Sequence, residues 1–238
     1  MARQSRFHGV RLVGARPTAI GALWMLCSAT AVAHPHGRID CQTQVQAGPA
    51  GLQAITLALT LDAQSSAALV PRLQFDDQGQ LAGDKPVRQF ADLVAGMFRQ
   101  SGWMLRLQAL GADGEPAGPV LELADPDPAR FSRRADGQVV VQVALQPAGA
   151  SASVHGWKLA CLDPTWYWAT GFAGAAQFSA SPPCQAELEA MRSMAEQAQA
   201  LQAAALRAGV VGADQAAPGL LTAAGVRAPS GTIRCPLP

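Results

Sequence analysis

Between residues 38 and 61 apolar and polar positions alternate almost without interruption. Ile39, Cys41, Thr43 and Val45 fall on every second position, and so do Ile55, Leu57, Leu59 and Leu61. A period of two places these sets on one face of an extended chain, so two half-buried strands are predicted, Arg38–Gln46 and Leu52–Leu61. Gln46-Ala-Gly-Pro-Ala-Gly51 between them reads as a hairpin connection. Weaker patterns predict strands at Leu69–Phe75, Met104–Leu110, Val120–Leu123, Gln138–Leu145, Val154–Leu162 and Thr165–Phe172, separated by Gly, Pro and Asp clusters.

Two stretches change to helical spacing. Val87, Phe90, Val94 and Met97 lie on one stripe of Pro86–Gln100, entered from Asp84 and stopped near Gly102. A longer helix is predicted from Ser181, with Pro182 in its first turn, to Gly209. Its stripe is Leu188, Met191, Ala195, Ala198, Leu201 and Ala205. The predicted architecture is mainly β, sandwich-like with antiparallel sheets, plus two helices, one long and amphipathic near the C-terminus. A β-rich domain spans 34–209, and an Ala/Gly/Pro-rich tail follows over 210–238.

The first 33 residues read differently. Arg3, Arg6, Arg11 and Arg16 stand with no acidic residue, followed by the apolar run Ala19–Ala29 and then Ala31-Val32-Ala33. A basic start, a short apolar core and small residues at −3 and −1 make a signal peptide, with cleavage expected after Ala33. The core is too short to span a bilayer. Of 18 basic residues four lie in this leader, so the processed chain carries 14 against 17 acidic groups, a net charge of −3. That balance is no footprint for nucleic acid. No second segment approaches 18 apolar residues, so no stable membrane insertion is expected after cleavage.

Four cysteines remain: Cys41, Cys161, Cys184 and Cys235. An even number in an exported chain suggests two disulfides, with three possible connectivities; buried free thiols are the alternative. Placement favours Cys41–Cys161, which would staple two neighbouring strands, and Cys184–Cys235, which would tie the start of the long helix to the tail.

Cleavage after Ala33 would leave His34-Pro35-His36 at the amino terminus. His34 then offers a free amine and an imidazole that can chelate together, and His36 adds a second imidazole. Such nitrogen ligands suit Zn, Ni, Co and Cu. Pro35 has no N–H, which excludes the square-planar motif that binds through ionised amides. The remaining ligands must come from the fold, with His155, Asp163 and Asp40 as candidates. The alternative is that the two histidines are merely solvated. No G-x-S-x-G, H-E-x-x-H, phosphate loop or dinucleotide fingerprint is present, so no enzymatic activity is expected.

His34-Pro35-His36 followed by Arg38-Ile39-Asp40, the segment Leu59-Thr60-Leu61-Asp62, the stretch Leu162-Asp163-Pro164-Thr165-Trp166-Tyr167 and the late cysteines Cys184 and Cys235 together resemble an uncharacterised, domain-of-unknown-function family of exported bacterial proteins. Its members are described as periplasmic components of ABC-type transport systems, often beside zinc or nickel/cobalt transporters. The resemblance implies a periplasmic, metal-handling accessory whose partner is a metal transporter or its periplasmic component. It also favours Asp163 as a carboxylate ligand. The alternative is a non-metal interaction subunit of an envelope transport complex that uses the long helix. Two positions and one segment depart from the pattern. Gly37 replaces a bulky apolar residue, and Leu162 replaces a tyrosine. Asp76-Asp77-Gln78-Gly79-Gln80 lacks the spaced ligands of a calcium loop, so calcium binding is not implied.

Overall fold

A computed structural model describes residues 37–48, 51–149, 156–164, 167–189, 203 and 228–236. Within these residues the chain forms two sheets that share a core. The first is built on β1 (Gly37–Gly48), β2 (Gly51–Leu61) and β7 (Val139–Pro147), all antiparallel to their neighbours in the order β1-β2-β7. Beyond β7 lie β5 (Leu123–Ala124) and β6 (Arg130–Arg133). On the outer edge of β1 run two short parallel strands, β9 (Trp168–Gly171) beside Gly37–Asp40 and β10 (Phe178–Ala180) beside Thr43–Val45. These two make the sheet mixed rather than purely antiparallel. The second sheet is antiparallel, in the order β11-β12-β8-β3-β4: Gln185–Leu188, Ser230–Arg234, Gly156–Cys161, Leu105–Leu110 and Pro116–Val120.

The alternation in the sequence sets which face is buried. Ile39 stands opposite Leu61, Cys41 opposite Leu59 and Val45 opposite Ile55, while Leu57 and Leu59 meet Val143 and Val141 on the next strand. These side chains are fully or almost fully buried, in one core with Leu107, Trp157, Leu159 and Ile233 of the second sheet. Each large aliphatic side chain removed from water contributes about 1.5–3 kcal/mol.

Two disulfides fix this arrangement, in the expected pairs. Cys41 is bonded to Cys161 with Cα atoms 6.6 Å apart, and Cys184 to Cys235 with Cα atoms 4.2 Å apart. Cys41 and Cys161 lie in different sheets, so this bond staples across the core rather than joining neighbouring strands.

Two helices occur among the described residues, and only one of them is a predicted one. α2 (Lys85–Gln100) follows the predicted stripe; Asp84 caps it through the Val87 amide and Pro86 lies in its first turn. α1 (Ala63–Leu69) lies just before the segment predicted as a strand at Leu69–Phe75, where the chain forms turns instead and only Phe75 bridges, to Leu81. The start of the predicted long helix is also corrected. The Pro182–Pro183 pair disfavours helical backbone, Cys184 is held to Cys235, and Gln185–Leu188 pairs with β12 as a strand. Most of the remainder of that helix lies outside the described residues. β12 itself sits inside the second sheet, although the sequence placed its residues in a tail. Among the described residues no helix is long and apolar enough to cross a membrane.

Candidate binding groove

Where β8 ends, the chain crosses from the second sheet to the first, and this crossing forms one wall of a groove. Leu162 donates its amide to the Met104 carbonyl at 2.7 Å, and Thr170 Oγ1 donates to the Cys161 carbonyl at 2.9 Å. Between these ties Asp163 is 1% exposed, and its Oδ2 accepts the Trp168 amide at 2.8 Å. Pro164, Tyr167 and Trp168 complete the wall. The opposite side comes from α1, through Gln64, Ser65, Ala68 and Leu69, and from the end of α2, through Val94, Met97 and Phe98. Leu61 and Met104 also line the space, which measures about 660 Å³.

The end of α2 is shaped by left-handed backbone. Gly102, Trp103 and Met104 have φ of 64°, 58° and 56° in succession. Glycine adopts this region freely, but the other two residues do so at a cost of about 1–3 kcal/mol each. Burial of Trp103, stacked on Phe98 with ring centroids 6.4 Å apart, holds the turn in place.

The amino-terminal end of β1 lies against the same region. A Cβ built on Gly37 would fall 2.6 Å from Trp168 Cζ3, 2.7 Å from Asp62 Oδ2 and 2.8 Å from Ser65 Oγ. No side chain fits there, which accounts for glycine at this position. Asp62 organises the contact. Its Oδ1 accepts the Ser65 amide at 2.7 Å as the cap of α1, and its Oδ2 accepts the Arg38 amide at 2.5 Å. Burial pushes the Asp62 carboxyl up, but bonds from the Ser65 and Arg38 amides, the Ser65 hydroxyl and the Gln64 amide outweigh this and hold it below the usual carboxylate range.

Of the predicted ligands, two fall among the described residues. Asp163 lines the groove. Asp40 lies on the opposite parity of β1 from the buried Ile39 and Cys41, with Arg38 bound to it at 2.8 Å. His34, His36 and His155 lie outside the described residues. Among the described residues no three His, Cys, Asp or Glu side chains form a metal-binding group. Asp62 was not among the sequence candidates, although an Asp directly before Ala63-Gln-Ser-Ser is a helix-cap signal.

A protein-family model matches residues 19–223. The chain belongs to that family, described as Protein of unknown function (DUF1007). The DUF1007 match takes in the apolar run at Ala19–Ala29, the His-Pro-His segment, Asp62 and Asp163, and stops short of β12 and Cys235. No curated protein and no solved structure matches the chain.

Proposed function

We propose that this DUF1007 protein is an exported, periplasmic accessory that binds one transition metal ion, Zn, Ni, Co or Cu, for a metal uptake or delivery system. The amine and imidazole of His34 and the imidazole of His36 are the assigned ligands, with Asp163 as a carboxylate ligand or a partner to one. The carrying observation is the seating of Gly37 against Trp168, Asp62 and Ser65. His36 is bonded directly to that residue. Three extended residues span at most about 10–11 Å, so the amine of His34 can lie no farther than that from Gly37. Two disulfides suit an oxidising compartment outside the cytoplasm.

The reading gives the two carboxylates different duties. Asp62 spends both oxygens on backbone amides and anchors the strand; Asp163 is the one that lines the groove. Isothermal titration of the exported protein with the four metals tests the reading. One ion bound per chain is expected, with loss of that binding in the His34→Ala, His36→Ala double variant.

A further inference from the structure

The two disulfides differ in what surrounds them. Cys41 and Cys161 are 0% exposed and lie between the sheets. Cys184 is 7% exposed, whereas Cys235 is only partly buried and packs against the outside of the core. A thiolate must reach a sulfur to open a disulfide, so access separates the two bonds by rate. The first is shielded while the fold persists. The second is open to attack on the Cys235 side.

The surroundings of the second bond also hold both cysteines in place without it. Gln185 pairs with Arg234, and the ladder continues through Ala186–Ile233 and Glu187–Thr232 to Leu188–Gly231. Cys184 and Cys235 are therefore the next cross-strand neighbours at its end, with Cα atoms 4.2 Å apart. β12 is in turn paired along its whole length with β8. The Cys184 amide donates to the Ser181 carbonyl at 3.0 Å and the Ser181 amide to the Val45 carbonyl at 2.8 Å, which ties this corner to β1. An acceptor stands ready for a released thiol, because the Ala47 carbonyl lies 3.7 Å from Cys184 Sγ. Breaking the bond leaves two thiols facing each other in a fold that other bonds maintain.

We propose that Cys184–Cys235 is a reversible redox pair, opened by an external dithiol through attack at Cys235 and closed again by exchange with a disulfide, while Cys41–Cys161 stays intact. A thiolate of the donor attacks Cys235 Sγ and forms a mixed disulfide there. Cys184 leaves as a thiolate, takes a proton from water and donates it in a hydrogen bond to the Ala47 carbonyl. The donor's second thiolate then attacks the donor sulfur of the mixed disulfide. The donor departs as a disulfide, and Cys235 is released as a thiolate that is protonated in turn. Two electrons pass to the protein, and its core is not opened. Neither the histidines nor the groove takes part, so this pair stands or falls apart from the metal reading.

The test treats the native protein with dithiothreitol at mildly alkaline pH, quenches samples with iodoacetamide at intervals and maps the peptides by mass spectrometry. Cys184 and Cys235 are expected to be alkylated about a hundredfold faster than Cys41 and Cys161 or more. The near-ultraviolet circular dichroism of the folded protein should persist, and oxidised glutathione should restore the same pair. Single variants read the point of attack. The thiol left at Cys235 in Cys184→Ala should react with an aromatic disulfide reagent about tenfold faster than the thiol left at Cys184 in Cys235→Ala. Opening of both bonds at one rate, loss of the folded spectrum when Cys184–Cys235 opens, no opening short of denaturation, or failure of the pair to return would each overturn the proposal. Equal or faster reaction at Cys184 would overturn the assigned point of attack.

Discussion

Asp62 accepts the Arg38 amide through one carboxylate oxygen and the Ser65 amide through the other. A single side chain thus caps α1 and pins the first residues of β1, which in the proposed function is what brings the histidines to the groove.

Asp62→Ala should destabilise the fold by about 1–3 kcal/mol, from the lost cap and an amide left without its acceptor, as measured by urea denaturation. Asp62→Asn should recover part of this. Because the folded carboxyl titrates below its ordinary value, its charge stabilises the protein above the unfolded pKa, near 4, and that contribution is lost as pH falls through the lower folded value. The stability difference between the native protein and Asp62→Asn should therefore shrink below about pH 4.

Gly37→Leu would force a side chain into the space of Trp168 Cζ3, Asp62 Oδ2 and Ser65 Oγ. A loss of about 1–3 kcal/mol is expected by the same measurement. In Trp168→Ala the added side chain should cost less than it does beside Trp168, so a double-mutant cycle should give a coupling of about 1 kcal/mol or more. Additive effects would show that the two positions do not compete for the same space.

The disulfides should contribute unequally. Cys41–Cys161 closes a separation of 120 residues and Cys184–Cys235 one of 51. In the chain-entropy model these are worth about 5 and about 4 kcal/mol. The first also lies at zero exposure between the sheets, so Cys41→Ala, Cys161→Ala should lower thermal stability more than Cys184→Ala, Cys235→Ala. Non-reducing peptide mapping should return the two pairs and no third.

The fold was readable where one face of a strand carries the whole core. Ile39, Cys41 and Val45 on β1 and Ile55, Leu57 and Leu59 on β2 announce their faces, and both strands lie close to their predicted limits. It was unreadable where partners decide. Ser230–Arg234 carries one buried aliphatic residue, Ile233, and becomes a strand because β8 and β11 flank it and Cys235 is tethered. Leu69, Leu73 and Phe75 mimic alternation across a helix end and a turn. The stripe from Leu188 onward suggested a helix, yet at Gln185–Leu188 pairing with β12 prevails. Apart from the stretch around Asp163, the groove left no mark in the sequence, because Leu61, Leu69, Met104 and Trp168 converge only through the topology. Asp163 was chosen from its motif, and the reason for its burial emerges only from the loop that closes on it.

The claim at the centre of this account is that the amino-terminal histidine residue binds metal through its amine and its imidazole together. Its most direct test is the affinity for Zn, Ni, Co and Cu of protein beginning at His34, compared with protein carrying one extra residue before it. The added residue keeps both imidazoles and destroys only the chelate ring. A fall in affinity of about tenfold or more is expected, with binding in both proteins weakening as pH drops and protons compete for the nitrogens. Equal affinities, or undiminished binding by the His34→Ala, His36→Ala variant, would contradict it.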